Sequence, residues 1–245
     1  MTEPLLHQRR TPLRRMLDRA GATWADTGDT AIATALPASG NAATDLFLAD
    51  LSALPRLGFK GRGTIAAMKA RGVTVEAEPN KAYLQSNGGL CLVLAPGEVI
   101  LLGDPLAANT KSDTAAFDTM LNSWKLEDEE RTYPLLRRDS HAWFVLGGKR
   151  AGDMMAKICG VDLRSHKFSN YSIAQTSVAK MPAIITRADI GATLTFHLLA
   201  DSAAALYFWT SLMDAAHEFH GRRVGLTALA ELKPDDQTRR SPSET

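Results

Sequence analysis

An internal repeat constrains this sequence more than any other feature. The segment LGFKGRGTIAAMKARGVTV, which begins at Leu57, aligns without gaps with VLGGKRAGDMMAKICGVDL, which begins at Val145. The identical pairs are Arg62/Arg150, Lys69/Lys157, Gly72/Gly160 and Val73/Val161. Each segment has the pattern of a strand, a glycine turn and a short helix, and a glycine just past the last apolar turn is typical of a helix C-terminus. The sequence therefore predicts two halves of similar fold, with helices that end near Gly72 and Gly160.

The segments that follow these helices repeat the same order of elements. In LCLVLAPGEVILLG, Pro96 and Gly97 predict a tight hairpin turn. The second half has YSIAQTSVAKMPAIITRAD and then ATLTFHLLA, with a bend at 189–192. A helix closes each half, and Asp113 and Asp201 are the candidate N-caps. The pattern predicts an α+β fold of two ferredoxin-like (split β-α-β) halves.

Composition at the two ends separates them from the halves. Residues 1–42 form a predicted basic arm or extension with Arg9, Arg10, Arg14 and Arg15. Glu3 and the shortness of the basic run favour a tail or docking arm over a transit peptide. The two halves are predicted at 43–128 and 133–230, and the polar segment 231–245 is predicted to be a disordered tail.

The overall charge excludes a general attraction to polyanions. Lys plus Arg (28) nearly balances Asp plus Glu (27), so nucleic acid and membrane surfaces are not expected partners. No apolar run is long enough to cross a bilayer. The two cysteines, Cys91 and Cys159, lie in apolar segments, which favours packed core thiols and a reduced, cytoplasmic setting.

One short segment contains the residue types of a catalytic triad. Asp162, Ser165 and His166 lie close together in VDLRSHKFSNYS. A triad needs an exposed nucleophile on a strained turn, and no G-x-S-x-G motif surrounds Ser165. Short polar side chains commonly bond the backbone in a loop between a helix and a strand. We therefore predict a structural loop here and no catalytic residue.

The remaining candidate sites are incomplete as well. His217 and His220 could share a helix face, but neither Cys nor a carboxylate completes a zinc ligand set, while His141 and His197 stand alone. The glycine pairs Gly61/Gly63 and Gly147/Gly148 lack the full dinucleotide or phosphate-loop motif and are explained by close packing of helix on strand. The sequence thus predicts neither a cofactor site nor a metal site in this chain.

The helix predicted at 201–219 is apolar over an unusually wide arc. Surface helices normally present one apolar stripe, so the excess is buried either by a wide internal core or by a partner protein. Both explanations remain open on the sequence alone. The residues that would form a partner interface are Leu206, Tyr207, Phe208, Trp209 and Met213.

Several motifs in fixed order resemble one protein family from about residue 51 to residue 219. They are GVTVEAEPN with Pro79 and Asn80, the hairpin LVLAPGEVILLG, the run KICGVDLRSHKFSNYSIAQTSVAKMPAIITR, and a closing aromatic helix that ends in EF. Together they resemble the gamma subunit of heterotetrameric sarcosine oxidase. The resemblance implies an aminomethyltransferase-like, folate-binding-type fold.

The resemblance also implies a function for the chain within a larger complex. It implies a non-catalytic subunit of an oxidoreductase acting on CH-NH donors, which demethylates sarcosine (N-methylglycine) to glycine and transfers the one-carbon unit to tetrahydrofolate. The implied partners are an alpha subunit with folate and NAD domains, a beta flavoprotein and a zinc-binding delta subunit. FAD, FMN, NAD and tetrahydrofolate are expected on those partners, and no cofactor is expected on this chain.

Three alternatives to this function stay open. One is the gamma-like component of N-methylglutamate dehydrogenase. Another is a stand-alone folate-binding protein with its ligand between the two halves, although the motif K-G-C-[FY]-x-G-Q-E of the folate-binding maintenance proteins is missing. The last is an interaction module unrelated to amine oxidation, held through the 201–219 helix.

Overall fold

The computed structural model describes residues 9–27, 29–37, 45–107, 110–125 and 131–232. The helices are α1 (Arg14–Arg19), α2 (Thr64–Ala70), α3 (Thr110–Asn122), α4 (Arg137–Ser140), α5 (Ala151–Met155), α6 (Ala205–His217) and α7 (Leu226–Ala230). The strands are β1 (Thr23–Asp26), β2 (Ala31–Ala35), β3 (Phe47–Asp50), β4 (Arg56–Gly61), β5 (Lys81–Leu84), β6 (Leu90–Ala95), β7 (Glu98–Leu102), β8 (Thr132–Leu135), β9 (His141–Gly147), β10 (Ile173–Val178), β11 (Met181–Arg187), β12 (Thr195–Asp201) and β13 (Arg222–Val224).

The internal repeat appears as two sheets with the same strand order. Within the described residues, one sheet runs β5-β6-β7-β4-β8 and the other β10-β11-β12-β9-β3-β13, while β1 and β2 form a separate hairpin. The unit β4-α2-β5-β6-β7-α3 of the first half corresponds to β9-α5-β10-β11-β12-α6 of the second. Because each strand occupies the same place in its sheet, the predicted α+β fold with two related halves is confirmed.

A pair of reciprocal hydrogen bonds joins the edges of the two sheets. The amide of Ala82 donates to the carbonyl of Tyr171 at 2.8 Å, and the amide of Ile173 donates to the carbonyl of Asn80 at 2.9 Å. Asn80 and Tyr171 both have positive φ, at 60° and 65°. The side chain of Gln175 also donates to Asn80 Oδ1, at 2.9 Å. Equivalent positions of the two halves thus meet across an approximate twofold axis.

The chain packs as helices, sheet, sheet and helices. In the described part of the chain, one apolar cluster lies between the inner faces of the two sheets and includes Leu92, Trp143 and Leu199. Two further clusters lie under the outer helices, one containing Phe59 and Trp124 and the other Phe144 and Trp209. Because the central strands are buried on both faces, they read as continuous apolar runs rather than as alternating patterns. The faces of β9 divide accordingly, with Val145 inward and Leu146 outward.

Several local predictions agree with the structure. Pro96 and Gly97 form the turn between β6 and β7, and α2 ends just before Gly72, which has a φ of 77°. Asp201 accepts a hydrogen bond from the amide of Ala203 at 2.8 Å, so it caps the 3₁₀ turn that leads into α6. Cys91 and Cys159 are buried free thiols.

Other local predictions are wrong. α5 ends at Met155, before the predicted stop at Gly160, and a looser turn covers the residues between. α3 begins at Thr110, so Asp113 lies inside its first turn and not at its N-cap position. The predicted single run before the 189–192 bend is two strands, β10 and β11, joined by a turn at Ala179 and Lys180. In the first half, β5 is likewise an additional strand, so each repeated unit, β4-α2-β5-β6-β7-α3 and β9-α5-β10-β11-β12-α6, contains one more strand than the β-α-β-β-α pattern predicts.

The N-terminal region is partly folded onto the second half. Leu13 and Leu17 are buried in the cluster under α6, and β1 and β2 form an antiparallel hairpin. β3, which belongs to the predicted first half, pairs with β9 in the sheet of the second half. The domain boundaries stay a prediction. Residues 1–8 of the predicted arm and 233–245 of the predicted tail lie outside the described residues.

Candidate functional site

The loop between α5 and β10 holds the acid, serine and histidine of the triad-like segment. The Asp162 carboxylate accepts hydrogen bonds from the backbone amide and the guanidinium of Arg164, the shortest at 2.6 Å. These bonds hold the pKa of Asp162 well below its usual range. Ser165 and His166 are exposed, and Arg187 donates to the carbonyl of Ser165 at 3.0 Å. The loop is therefore a surface connection held by hydrogen bonds, in which the Asp162 carboxylate is paired with the guanidinium of Arg164.

The four histidines considered as ligands do not come together. His217 and His220 are exposed at the end of α6, and His197 and His141 lie on β12 and β9. Across the described ranges, no group of three or more His, Cys, Asp or Glu side chains is placed to hold a metal ion. His197 accepts a hydrogen bond from Trp143 Nε1 at 3.1 Å, and burial lowers the pKa of His197 to about 4. This histidine is thus a neutral core residue at physiological pH.

The glycine pairs meet a packing requirement. A Cβ atom at Gly148, which has a φ of 113°, would lie 2.4 Å from the carbonyl oxygen of Asp45. At Gly61 the same atom would lie 1.9 Å from the carbonyl oxygen of Arg131. Both glycines permit close backbone approach. The backbone they approach precedes β3 and β8 and is not helical, so the predicted cause, close packing of helix on strand, is wrong for these two positions.

Helix α6 divides the predicted interface residues into two groups. Phe208 and Trp209 are fully buried and pack on Phe144, with ring centroids 6.0 and 5.1 Å apart. Their assignment to a partner interface is therefore corrected, because they belong to the core of this chain. Leu206 and Tyr207 are 56% and 52% exposed, and Met213 is half-buried. For these three residues a role in a partner interface stays a prediction.

A groove rich in arginine lies beside Leu206. It has a volume of about 890 Å³ and is lined in part by Arg10, Arg14, Arg15, Arg19, Leu206 and Arg223. We call these six residues the arginine face. A second hollow continues from Arg223 and Ala20 to Met213, whereas Tyr207 lines a separate hollow with Ala179 and Lys180.

The sequence of α1 explains how this face forms. Leu13 and Leu17 are four residues apart and are buried, so Arg15 and Arg19, also four residues apart, lie on a solvent-exposed side of the helix. Arg14 pairs with Asp18 at 2.9 Å and stacks on Trp24. Arg15, Arg19 and Arg223 have no ion pair with the part of the chain that the structure describes. Within the described residues, Arg15, Arg19 and Arg223 therefore carry uncompensated positive charge next to an exposed leucine.

A buried arginine at the start of β4 joins the two connections between the sheets, which are residues 51–55 between β3 and β4 and residues 136–140 between β8 and β9. Arg56 is 3% exposed, and its guanidinium donates to the carbonyl of Leu54 in the first connection at 2.9 Å. It also donates to the carbonyls of Arg138 and His141 at the second connection, at 2.8 and 2.7 Å. Burial, and then the charge of Arg138, lowers the pKa of Arg56 to about 9. Sequence analysis missed this residue, although its position among apolar residues in ALPRLGF marked it as a charge on a buried strand.

Comparisons with known proteins give a family and a fold. The profile of the GCVT N-terminal domain matches residues 106–244, more than half of the chain. A chain of the heterotetrameric sarcosine oxidase from Corynebacterium sp. U-96 in complex with pyrrole 2-carboxylate is 21% identical, with a TM-score of 0.61, and the match covers 86% of this chain and 96% of that one. The glycine cleavage system aminomethyltransferase T from Bartonella henselae is 14% identical, with a TM-score of 0.67, and the match covers 92% of this chain and 62% of that one. A search of curated protein sequences found no match.

At these identities the two structures show likeness of fold. They confirm the α+β, aminomethyltransferase-like architecture that the sequence resemblance implies. The helices of the described residues include none that is both long and apolar enough to cross a membrane.

Proposed function

This chain belongs to the GCVT N-terminal domain family, and from that premise we propose that it is the non-catalytic, gamma-like subunit of a sarcosine oxidase-type complex. The complex demethylates sarcosine oxidatively to glycine and transfers the one-carbon unit to tetrahydrofolate. Alpha and beta subunits hold FAD, FMN, NAD and tetrahydrofolate, and a delta subunit holds zinc. This chain contributes to assembly.

The extent of the structural match is the observation that carries this proposal. The match covers 96% of a chain in a heterotetrameric sarcosine oxidase and 86% of this chain, so the two chains have similar lengths. A match over nearly the whole of that chain supports a role for this chain like the one that the matched chain has in its complex. By contrast, this chain spans 62% of the aminomethyltransferase T chain.

The arginine face supplies a surface for such assembly. Arg15, Arg19 and Arg223 are exposed next to Leu206, and interfaces combine an apolar centre with a charged rim. Arginine is enriched in interfaces because its planar guanidinium binds carboxylates in a bidentate manner. We expect the partner subunit to present an acidic surface here, which would speed association and fix its orientation.

A gamma-like role in N-methylglutamate dehydrogenase is compatible with the same fold and the same face. The two possibilities differ in the substrate of the complex. Oxidation of sarcosine by the purified complex supports the first, and oxidation of N-methylglutamate in its place supports the second.

A stand-alone folate-binding protein is the second candidate function, and the likeness to an aminomethyltransferase favours it. Its ligand would lie between the two halves. In the described structure, however, the inner faces of the sheets pack together through buried side chains such as Leu92, Trp143 and Leu199. A ligand there would have to displace a packed apolar core, which is why we favour the subunit role.

Co-purification tests the proposal. A tagged copy of the chain is expressed in its native cells, and the eluate is examined for flavin absorbance, for partner polypeptides and for oxidation of sarcosine or N-methylglutamate. We expect a yellow complex of several polypeptides that oxidises one of these substrates. A colourless single chain that binds tetrahydrofolate would contradict the subunit role and favour the folate-binding alternative.

A further inference from the structure

A small cavity lies where the two connections between the sheets meet the N-terminal segment. Its volume is about 250 Å³, somewhat below the range of about 300 to 1,000 Å³ typical of drug-sized ligand pockets. We call it the junction cavity. Its lining includes Arg9, Thr30, Arg56, Arg138, Asp139 and Ser202.

Positive charge exceeds negative charge around this cavity. Asp139 is the carboxylate among the described lining residues, and it pairs with Arg9 at 3.0 Å. Asp29 accepts from Arg9 and from Arg138, at 2.7 and 2.6 Å. The carboxylates of Asp29 and Asp139 therefore pair with Arg9 and Arg138, whereas the guanidinium of Arg56 donates to carbonyl oxygens and has no carboxylate partner among the described residues.

Two other titratable groups lie close to this cavity, His141 in its wall and Asp50 behind the wall. Burial, together with the charges of Arg137 and Arg56, lowers the pKa of His141 to about 4, so its imidazole is neutral at physiological pH. Asp50 lies behind the wall, where its carboxylate accepts hydrogen bonds from Thr11 and from the amide of Ser52. Burial raises the pKa of the Asp50 carboxyl.

Two lining residues carry a buried polar atom without a partner. Thr30 is 1% exposed and Arg56 is 3% exposed. Thr30 Oγ1 and Arg56 Nε find no hydrogen-bond partner within the described residues. Buried polar groups are nearly always satisfied in folded proteins, and each exception calls for an explanation such as an ion or a ligand. A hydroxyl and a guanidinium N–H are both donors, and donors are satisfied by an anion.

We propose that the junction cavity binds a small oxyanion, a single carboxylate or phosphate group, held by Arg9, Arg56, Arg138 and the hydroxyl of Thr30. Such an anion is charge-matched to the wall, and its size fits a cavity of this volume. The anion would bridge three parts of the chain. The N-terminal segment supplies Arg9 and Thr30, the start of β4 supplies Arg56, and the segment between β8 and β9 supplies Arg138. Anion binding would then stabilise the N-terminal segment on the body of the chain.

Thermal unfolding of the full chain tests this site. Sodium acetate and sodium phosphate are titrated separately against sodium chloride at matched ionic strength, and the unfolding temperature is recorded. A ligand that binds only the folded state raises this temperature in a saturable manner. Saturation by acetate alone identifies a carboxylate site, saturation by phosphate alone a phosphate site, and saturation by both a general oxyanion site.

Thr30→Val is the sharpest variant for this test. The threonine hydroxyl has no partner among the described residues, so the isosteric valine should leave the fold intact. Loss of one hydrogen bond to an anion should weaken binding about fivefold to tenfold. Arg9→Gln should weaken it further, while Arg164→Gln, a matched change in an exposed ion pair outside the cavity, should not alter it.

Several results would overturn the proposal. One is the absence of saturable stabilisation by acetate or phosphate beyond that of chloride. Another is equal stabilisation of the wild-type chain and of both cavity variants, which would indicate general salt effects or water in the cavity.

Discussion

Single side chains fix how the two halves of this molecule meet. Arg56 donates to carbonyl oxygens on both connections between the sheets. A buried guanidinium without such acceptors would be strongly destabilising, so these hydrogen bonds are what allow Arg56 to be buried. A guanidinium presents several N–H donors in a fixed plane, which neither lysine nor a neutral side chain reproduces. At the residue scale, the junction between the halves therefore depends on one buried cation.

Arg56→Met tests this dependence. Methionine fills part of the volume but leaves the carbonyl oxygens of Leu54, Arg138 and His141 without their donor. We expect a loss of about 3 to 5 kcal/mol in the free energy of unfolding, measured by urea denaturation. Arg164→Met, at an exposed ion pair, should cost less than about 1 kcal/mol. Similar values for both variants would contradict the role of Arg56.

The buried histidine on β12 predicts a pH dependence. His197 has an ordinary pKa of 6.5, which burial lowers to about 4 in the folded chain. The unfolded chain therefore binds a proton more readily between these values, so stability should be complete above pH 6.5 and decrease as the pH falls toward 4. His197→Asn keeps an acceptor for Trp143 Nε1 and removes the titration. It should reduce, without abolishing, the dependence of unfolding free energy on pH in this window, because the pKa of His141 is lowered to about 4 as well. An unchanged slope would contradict the contribution of His197.

At the scale of the element, what the sequence predicts depends on local chemistry. The turn at Pro96 and Gly97 was predictable because both residues favour turn dihedrals. The turn at Ala179 and Lys180 was not, because neither residue is a typical turn former although both have positive φ, at 49° and 67°. Nor could the sequence show that β3 pairs with β9, since this contact joins distant parts of the chain.

The same limit applies to the candidate site. The wide apolar arc of α6 was visible, but the division between buried Phe208 and exposed Tyr207 required the three-dimensional packing. Arg10, Arg14 and Arg15 were visible in the basic run of the sequence, whereas Arg19 and Arg223 join them only in the folded chain. The junction cavity could not be predicted, because segments far apart in the sequence form its wall.

The β10–β11 turn offers a stabilising change. Two-residue turns with positive φ at both positions favour Asn followed by Gly. The double substitution Ala179→Asn and Lys180→Gly should raise the free energy of unfolding by about 0.5 to 1 kcal/mol. The single substitution Pro96→Asn, which places the same Asn-Gly pair in the β6–β7 turn, serves as a control and should not stabilise, because neither position has positive φ. Denaturation of the two variants measures the difference, and a destabilised β10–β11 variant would contradict the assigned turn.

Helix α6 has a buried side that stabilises the fold and an exposed side that is available for contact with a partner. Trp209→Ala removes a fully buried ring and should cost about 3 to 5 kcal/mol of unfolding free energy. Leu206→Ala changes a side chain that is 56% exposed and should change stability by less than about 0.5 kcal/mol. Urea denaturation of the isolated chain distinguishes them. A large loss in Leu206→Ala would indicate that this residue stabilises the chain itself.

At the scale of the whole molecule, the net charge is nearly zero although positive charge is concentrated on one face of the surface. The formal net charge is +1, yet Arg15, Arg19 and Arg223 lie on one face with an exposed leucine. This arrangement provides a directed contact with an acidic partner without a general attraction to polyanions. The two halves, joined edge to edge and through Arg56, form the body that presents this face.

Charge reversal on this face tests the central claim most directly. Tagged wild-type chain, the Arg15→Glu/Arg19→Glu variant and the matched Arg62→Glu/Arg164→Glu control are each purified from native cells, and the recovered partner polypeptides and flavin are quantified per tagged chain. We predict full recovery with the wild type and the control, and a loss of about tenfold or more with Arg15→Glu/Arg19→Glu, because like charges across an interface cost several kcal/mol. Recovery of no flavoprotein partner with any of the three chains would contradict the assignment of this protein as a subunit, and equal recovery with all three would contradict the role of the arginine face.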